Sequence, residues 1–357
     1  MLRRVLPLAG IALVACGSSD RPPAATATPS PSASPSVEAT ATPTQAPPAR
    51  RTVARGLDVP WGIAFLPDGD ALVAERDSGR IVRIPSGGGS PRRVMRVPGV
   101  AAGGEGGLLG LAVSPRYARD RWVYAYLTTD SDNRIVRFRL GGRVRPLLTG
   151  LATAAVHNGG RIHFGPDGKL YAGVGDAANT ASAQDPQSRN GKILRMNADG
   201  SGARVWTLGH RNVQGFAWDR AGRMWASEFG QNARDEINLI RRGRNYGWPE
   251  VEGRGDAHGG RFTNPLVTWS TAQASPSGVA IIGSRMYVAA LRGEAVWRIP
   301  IRGASLGTPR RMFAGRYGRI RTVAAAPDGT LWIATSNRDG RGAPRSGDDR
   351  IIAVRPS

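Results

Sequence analysis

The chain has almost no cysteine, almost no lysine and no long hydrophobic run. Its only cysteine, Cys16, excludes an intrachain disulfide, so a domain that works outside the cell must be held by core packing, with a bound metal as the one further source of stability. Of 49 basic residues only Lys169 and Lys192 are lysine, against 27 acids, leaving a formal charge of +22. The arginines are scattered rather than gathered into basic tracts, so no nucleic-acid partner is expected. A diffusely cationic surface instead suits anionic polymers or lipid headgroups. The one apolar run, residues 5–14, is too short to span a bilayer. With 40% hydrophobic and 21% charged residues, neither wholesale disorder nor a polytopic membrane protein fits.

What is present begins with that short run. Arg3 and Arg4 precede it and Ala15 and Cys16 follow it, the layout of a secretory signal. Leu13-Val14-Ala15-Cys16 resembles a bacterial lipobox, with residues 1–15 as signal peptide and Cys16 as the lipidated residue. The expectation is an exported lipoprotein, periplasmic or at the cell surface, touching the membrane through its lipid anchor only. An ordinary secretory signal with an incidental cysteine is the alternative. Residues 16–49 read as a tether: of the 33 residues 17–49, 27 are Pro, Ala, Ser or Thr, too little apolar surface to offset the entropy of ordering. The folded domain is expected over 50–357.

Within it a pattern recurs six times: an apolar β-like run, a polar turn, then a second β-rich run. The markers Pro67, Pro115, Pro166, Asp219, Gly283 and Pro327 are spaced by 48, 51, 53, 64 and 44 residues. Such periods with alternating apolar residues and Gly-rich turns predict an all-β fold, a six-bladed β-propeller of four-stranded antiparallel blades. A propeller is a scaffold, so function has to be sought in its loops. Four polar, Gly-rich segments stand out, at 104–107, 156–161, 209–215 and 228–236.

The residues in and around these segments carry a resemblance. Gly-Glu-Gly-Gly-Leu-Leu-Gly at 104–110, His-Asn-Gly-Gly-Arg-Ile at 157–162, Val-Gly-Asp at 174–176, Gly-Lys-Ile-Leu-Arg-Met-Asn at 191–197, Gly-His-Arg-Asn-Val-Gln-Gly at 209–215, Asp-Glu-Ile-Asn-Leu-Ile at 235–240 and Asn-Tyr-Gly-Trp-Pro at 245–249 together resemble the soluble pyrroloquinoline quinone (PQQ)-dependent aldose sugar dehydrogenases of the glucose/sorbosone dehydrogenase family. The likeness runs in order over nearly the whole folded domain.

The resemblance implies oxidation of an aldose or oligosaccharide at C1 to the lactone, with PQQ and Ca²⁺ as cofactors and an unspecified external electron acceptor. It makes His157 the general base, a role that suits an imidazole titrating near working pH, and Asp176 the carboxylate that orients it. It sets Arg211 and Asn212 against the quinone, where a guanidinium stabilises developing negative charge. Glu105 stands where the family has Gln, so its carboxylate must be protonated or paired with Arg. Arg292, Arg319 and Arg321 become clamps for the PQQ carboxylates, with Arg292 where Lys is usual. The carbonyls of Gly230 and Gln231 become Ca²⁺ ligands, although Gln231 replaces a proline whose fixed φ would stiffen the loop. His163 and His258 are read as structural. Two other readings stay open: a Ca²⁺-dependent sugar lactonase, which needs side-chain Glu, Asn and Asp ligands around the axis, and a non-catalytic module that binds cell-envelope polymers.

Overall fold

The computed structural model describes residues 50–356; the proposed signal, lipidation site and tether lie outside them. Six antiparallel sheets follow one another along the chain, spanning 60–96, 108–151, 162–208, 213–269, 276–312 and 320–354. This is the expected six-bladed propeller. Five blades have four strands, and the fifth gains a short extra strand, Ser305–Leu306. The last blade is completed by the first strand of the domain, Arg50–Ala54, which pairs antiparallel with Ile351–Val354. That pairing closes the ring by joining the start of the domain to its end.

The core is divided as a ring of wedges demands. Each of six apolar clusters is built mainly from two neighbouring blades, for example Leu72, Ala74 and Ile81 with Val123, Ala125 and Phe138, and one of them also takes in Trp61 of a third. Strands in the middle of a blade are buried on both faces, and successive side chains serve opposite neighbours. In Ala71–Glu75, Leu72 and Ala74 pack toward the second blade, whereas Ala71 and Val73 pack toward the sixth.

Innermost strands converge on the axis, and the sequence makes room for them with glycine. A Cβ at Gly62 would lie 2.6 Å from Leu109 O, and one at Gly278 2.9 Å from the Thr322 Cα; Gly110 and Gly215 meet the next blade in the same way. Close to these glycines the pairing of first and second strands slips in five blades, between Pro60/Ile63, Leu108/Leu111, Val213/Gly215, Pro276/Val279 and Ile320/Thr322. Bulges of this kind re-aim the adjoining backbone. The segments preceding the innermost strands gather at one mouth of the channel, where 104–107, 156–161 and 209–215 meet and 228–236 joins them.

Candidate active site

His157 sits just before the innermost strand of the third blade, Ile162–Phe164, with φ at 59°. A left-handed conformation at a non-glycine residue costs about 1–3 kcal/mol and persists only where surrounding contacts impose it. Those contacts are present. His157 Nδ1 lies 2.8 Å from Asp176 Oδ1, its backbone N–H donates to Glu105 Oε2 at 2.9 Å, and its carbonyl accepts from Ala177 N. Asp176 is fully buried. Its second oxygen accepts the indole N–H of Trp248 at 2.9 Å, and Oδ1 also takes the Ala178 N–H at 2.9 Å. Both Asp176 oxygens accept N–H donors, so in this pair Nδ1 is the nitrogen that donates and Nε2 is the one left with a lone pair. The arrangement is that of an oriented imidazole base.

Arg211 lies beside the dyad, its guanidinium 5.5 Å from the centre of the Trp248 ring and its Nη1 donating to Phe229 O at 3.4 Å. Its backbone N–H is held by Glu228 Oε1, while Glu228 Oε2 meets His210 Nδ1 at 2.8 Å. The buried His210 thus anchors the chain on either side of the exposed chemistry. Burial pulls the Arg211 guanidinium below its usual pKa, against the opposing fields of Asp176, Glu105, Glu252 and Glu228. Asn212 is buried behind it, with Oδ1 accepting from Gly159 N at 3.1 Å and from Gln214 Nε2 at 3.0 Å. Gln214 Oε1 in turn takes a hydrogen bond from Arg321 Nη1 at 3.0 Å.

The arginine side of the mouth holds more carboxylate than the sequence suggested. Arg319 is engaged by Asp339 through Nε at 3.0 Å and Nη2 at 2.9 Å, so its fork is not free in the way a clamp would be. Arg321 stands 3.8 Å from the same carboxylate, and burial pulls it down to about 10. Glu105 is neither protonated nor alone: its Oε1 pairs with Arg341 Nη1 at 2.8 Å. Burial alone would raise this carboxyl; the hydrogen bonds from Arg341 and His157, with the charges of Arg341 and Arg321, outweigh it and hold it low. Buried Arg161 donates to Gln214 O at 2.9 Å and lies over Trp61 at 4.2 Å. The mouth therefore gathers Arg161, Arg211, Arg319, Arg321 and Arg341 around Glu105, Asp176 and Asp339. The Nε atoms of Arg211 and Arg321 are buried without a hydrogen-bond partner. A surplus of buried cations with orphaned donors suits an anionic ligand.

Next to Arg211 a tight loop at 229–234 closes on two carboxylates. Glu252 Oε1 accepts the N–H groups of Gln231, Asn232, Ala233 and Arg234 at 2.6, 3.2, 3.0 and 3.0 Å, and Asp235 Oδ1 accepts that of Gly230 at 3.0 Å. Successive N–H groups drawn to one side leave the carbonyls to face elsewhere, and those of Gly230 and Gln231 accept no hydrogen bond among the described residues. Two bare carbonyls suit a hard cation. Among the described residues no group of three or more His, Cys, Asp or Glu could itself hold a metal.

The comparisons with known proteins point the same way as the geometry. The family model for glucose/sorbosone dehydrogenases matches residues 57–344. The chain belongs to the glucose/sorbosone dehydrogenase family. Among solved structures, the PQQ-bound form of an aldose sugar dehydrogenase from Streptomyces coelicolor superposes with a TM-score of 0.82 at 48% identity, over 87% of this chain and 99% of that one. Aldose sugar dehydrogenase YliI of Escherichia coli K12 is 29% identical over 337 residues, 80% of this chain and 89% of that protein. Quinoprotein glucose dehydrogenase B of Acinetobacter calcoaceticus is 32% identical over 263 residues, 60% of this chain and 55% of that protein.

For this member of the family, Glu105, His157, Asp176, Arg211, Asn212 and Arg321 come together at one mouth of the channel. Arg292 does not join them: it is exposed after the strand Arg285–Ala290 and makes no hydrogen bond or ion pair among the described residues. His163 bonds the carbonyl of Phe164 at 2.8 Å, in keeping with a structural histidine, and His258 lies in an exposed 3₁₀ turn. Sequence reasoning missed Trp248, Gln214, Glu252, Asp339 and Arg341. Trp248 and Gln214 stand inside motifs already singled out, Asn-Tyr-Gly-Trp-Pro and Gly-His-Arg-Asn-Val-Gln-Gly, and a polar atom on a motif residue was the available signal. Glu252 and the loop 337–342 carried none.

Proposed function

We propose that the chain is a PQQ-dependent dehydrogenase that oxidises aldose sugars at C1 to the lactone and passes the electrons to an external acceptor. The observation that carries this reading is the His157–Asp176–Trp248 relay beside a cation-rich mouth. Family membership and the PQQ-bound structural relative support it. PQQ is a tricarboxylate, and Arg211 and Arg321, with Arg161 and the Asp339-bound Arg319 behind them, supply the positive field such a group needs. When bound, it supplies the two-electron acceptor that takes hydride from the sugar.

The residues of the chain supply the rest. His157 Nε2 takes the proton of the anomeric hydroxyl as the C1–H bond breaks, and Asp176 stabilises the imidazolium that results. Trp248 and the Ala178 N–H hold the Asp176 carboxylate in place, so the imidazole does not rotate away from the substrate. Arg211 lies close enough to the dyad to stabilise negative charge developing opposite the base. Asn212, locked by Gly159 and Gln214, offers its amide N–H edge toward the Glu105 side. The carbonyls of Gly230 and Gln231 would hold Ca²⁺, whose contribution is Lewis acidity. In place of proline, Glu252 stiffens that loop by capturing four N–H groups.

The lactonase alternative finds no support, since the described residues hold no carboxylate cluster for a metal. The non-catalytic alternative leaves the His157–Asp176 dyad and the orphaned arginine donors without a purpose. Reconstitution of the full chain with PQQ and Ca²⁺, followed by dye reduction with a panel of aldoses, tests the reading. Turnover that requires both additions supports it, and absence of PQQ binding overturns it.

Export and lipidation belong to the same proposal. The signal at 1–15 and Cys16 support an exported lipoprotein held to the membrane by its lipid, with the Pro/Ala/Ser/Thr-rich segment spacing the enzyme from the bilayer. Metabolic labelling with a radioactive fatty acid should mark the wild-type protein and not Cys16→Ser. Equal labelling of both would contradict it.

A further inference from the structure

We propose that Glu105 and Arg341 form a charge-paired strap across the channel mouth that positions His157 and keeps the Glu105 carboxylate compatible with an anionic cofactor. The proposal rests on the PQQ-dependent reading of the site for its second half and on geometry alone for its first.

One carboxylate joins three blades. Glu105 stands before the innermost strand of the second blade, His157 before that of the third, and Arg341 on the loop of the sixth. Oε2 receives the backbone N–H of His157 at 2.9 Å and Oε1 receives Arg341 Nη1 at 2.8 Å. The first bond satisfies a part-buried donor in the residue whose φ of 59° needs external support. The second neutralises the carboxylate at the point where it would face the ligand. Arg341 is itself held: its backbone N–H donates to Asp339 Oδ1 at 3.0 Å, and the same carboxylate binds Arg319.

The charged and titratable groups facing Glu105 are Arg341, Arg321, Arg211 and His157, with the Asn212 amide at 3.5 Å. Among them Arg341 is the one cation in direct contact. The Arg341 side chain is 52% exposed and that of Glu105 only 16%. The pair therefore adds little to global stability, and its effect is local to the mouth. Removing Arg341 leaves a mostly buried carboxylate beside the cofactor pocket; removing both charges leaves none. Glu105 is thus a positioning residue for His157, and Arg341 its counter-ion.

The test is a charge cycle on the full-length chain with Glu105→Gln, Arg341→Met and the double variant. PQQ affinity is read by fluorescence titration at about pH 5.5 and about pH 8. Arg341→Met is expected to weaken PQQ about tenfold or more at the higher pH and less at the lower, where a larger share of the unpaired carboxyl carries a proton. Glu105→Gln keeps an acceptor for the His157 N–H, and both it and the double variant should stay within about threefold of wild type at both pH values. A double variant as impaired as Arg341→Met would mean that Arg341 grips the cofactor itself, and the strap would be wrong.

A second readout does not need the cofactor. With four histidines in the chain, the His157 ring resonances can be followed by NMR at fixed pH. An unneutralised Glu105 should displace them in Arg341→Met, and the double variant should return them to their wild-type positions. If the His157 resonances are identical in all four proteins, the positioning half falls, whatever PQQ does. If wild type binds no PQQ yet the NMR cycle holds, the functional reading fails and the strap stands.

Discussion

The two ends of the propeller channel differ in how far apart along the chain their partners lie. At one end, the hairpin turns satisfy themselves: Asp68, Asp167 and Asp328 each accept the N–H two residues on, at 3.0–3.1 Å, and the innermost strands there line a cavity of about 620 Å³ walled by Phe65, Val113, Phe164, Trp218 and Ile281, which also reaches Arg161 and His163. At the other end, Glu105 meets His157 across 52 positions and Arg341 across 236, and Trp248 reaches Asp176 across 72. Local bonds make turns that specify the fold one hairpin at a time. Non-local bonds make a constellation that exists only when the ring has closed.

Breaking the non-local end should therefore abolish chemistry and spare stability, and breaking the local end should do the reverse. The largest effect is expected from His157→Ala, which should lower kcat by roughly 10²–10⁴-fold while thermal unfolding shifts little. Asp176→Asn tests the same relay through its orienting carboxylate. Trp248→Phe removes the hydrogen bond that fixes the second oxygen of Asp176 and should lower kcat by about tenfold, less than His157→Ala. Steady-state kinetics on PQQ-loaded protein measure both. Asp328→Ala, in a turn at the opposite end, should cost about 1 kcal/mol in denaturant unfolding and leave kcat unchanged; a change in kcat there would break the comparison.

A smaller, pH-dependent effect is expected from Glu236, beneath the loop that carries Gly230. Burial, and then the nearby Glu228 charge, push this carboxyl up to about 8. Its folded-state pKa lies above that of the unfolded chain, so the folded form prefers it neutral. The associated stability is present in acid and is lost as pH rises from the ordinary carboxylate range through about 8. Glu236→Gln should raise the melting temperature at about pH 8 and leave it nearly unchanged at about pH 5. Equal shifts at both pH values would show that Glu236 is ionised throughout.

The same contrast explains what could be read before the fold was known. The propeller was legible because its signals are local and repeated: Pro-Asp-Gly turns at 67, 166 and 327 mark the hairpins, and alternating apolar residues such as those of Leu170–Val174 mark strands buried on both faces. The closing strand Arg50–Ala54 was not legible, because its partner lies some three hundred residues away and nothing in its own sequence names it. Within the site, His157 and Asp176 were reached through motif resemblance rather than through any periodicity. Arg292 shows where that route fails: its motif neighbour places it on the correct connection, but the side chain stays in solvent. Asp339 shows the converse, a buried acid that claims Arg319 and approaches Arg321 and belongs to no motif.

The central claim is that His157, held by Asp176, is the base for sugar oxidation. The most direct test is single-turnover reduction of PQQ-loaded protein by excess aldose, comparing wild type with His157→Gln, with the bound PQQ quantified in the same samples. Equal loading with reduction slowed by roughly 10²–10⁴-fold is the predicted result. Equal loading with reduction at the wild-type rate would contradict it.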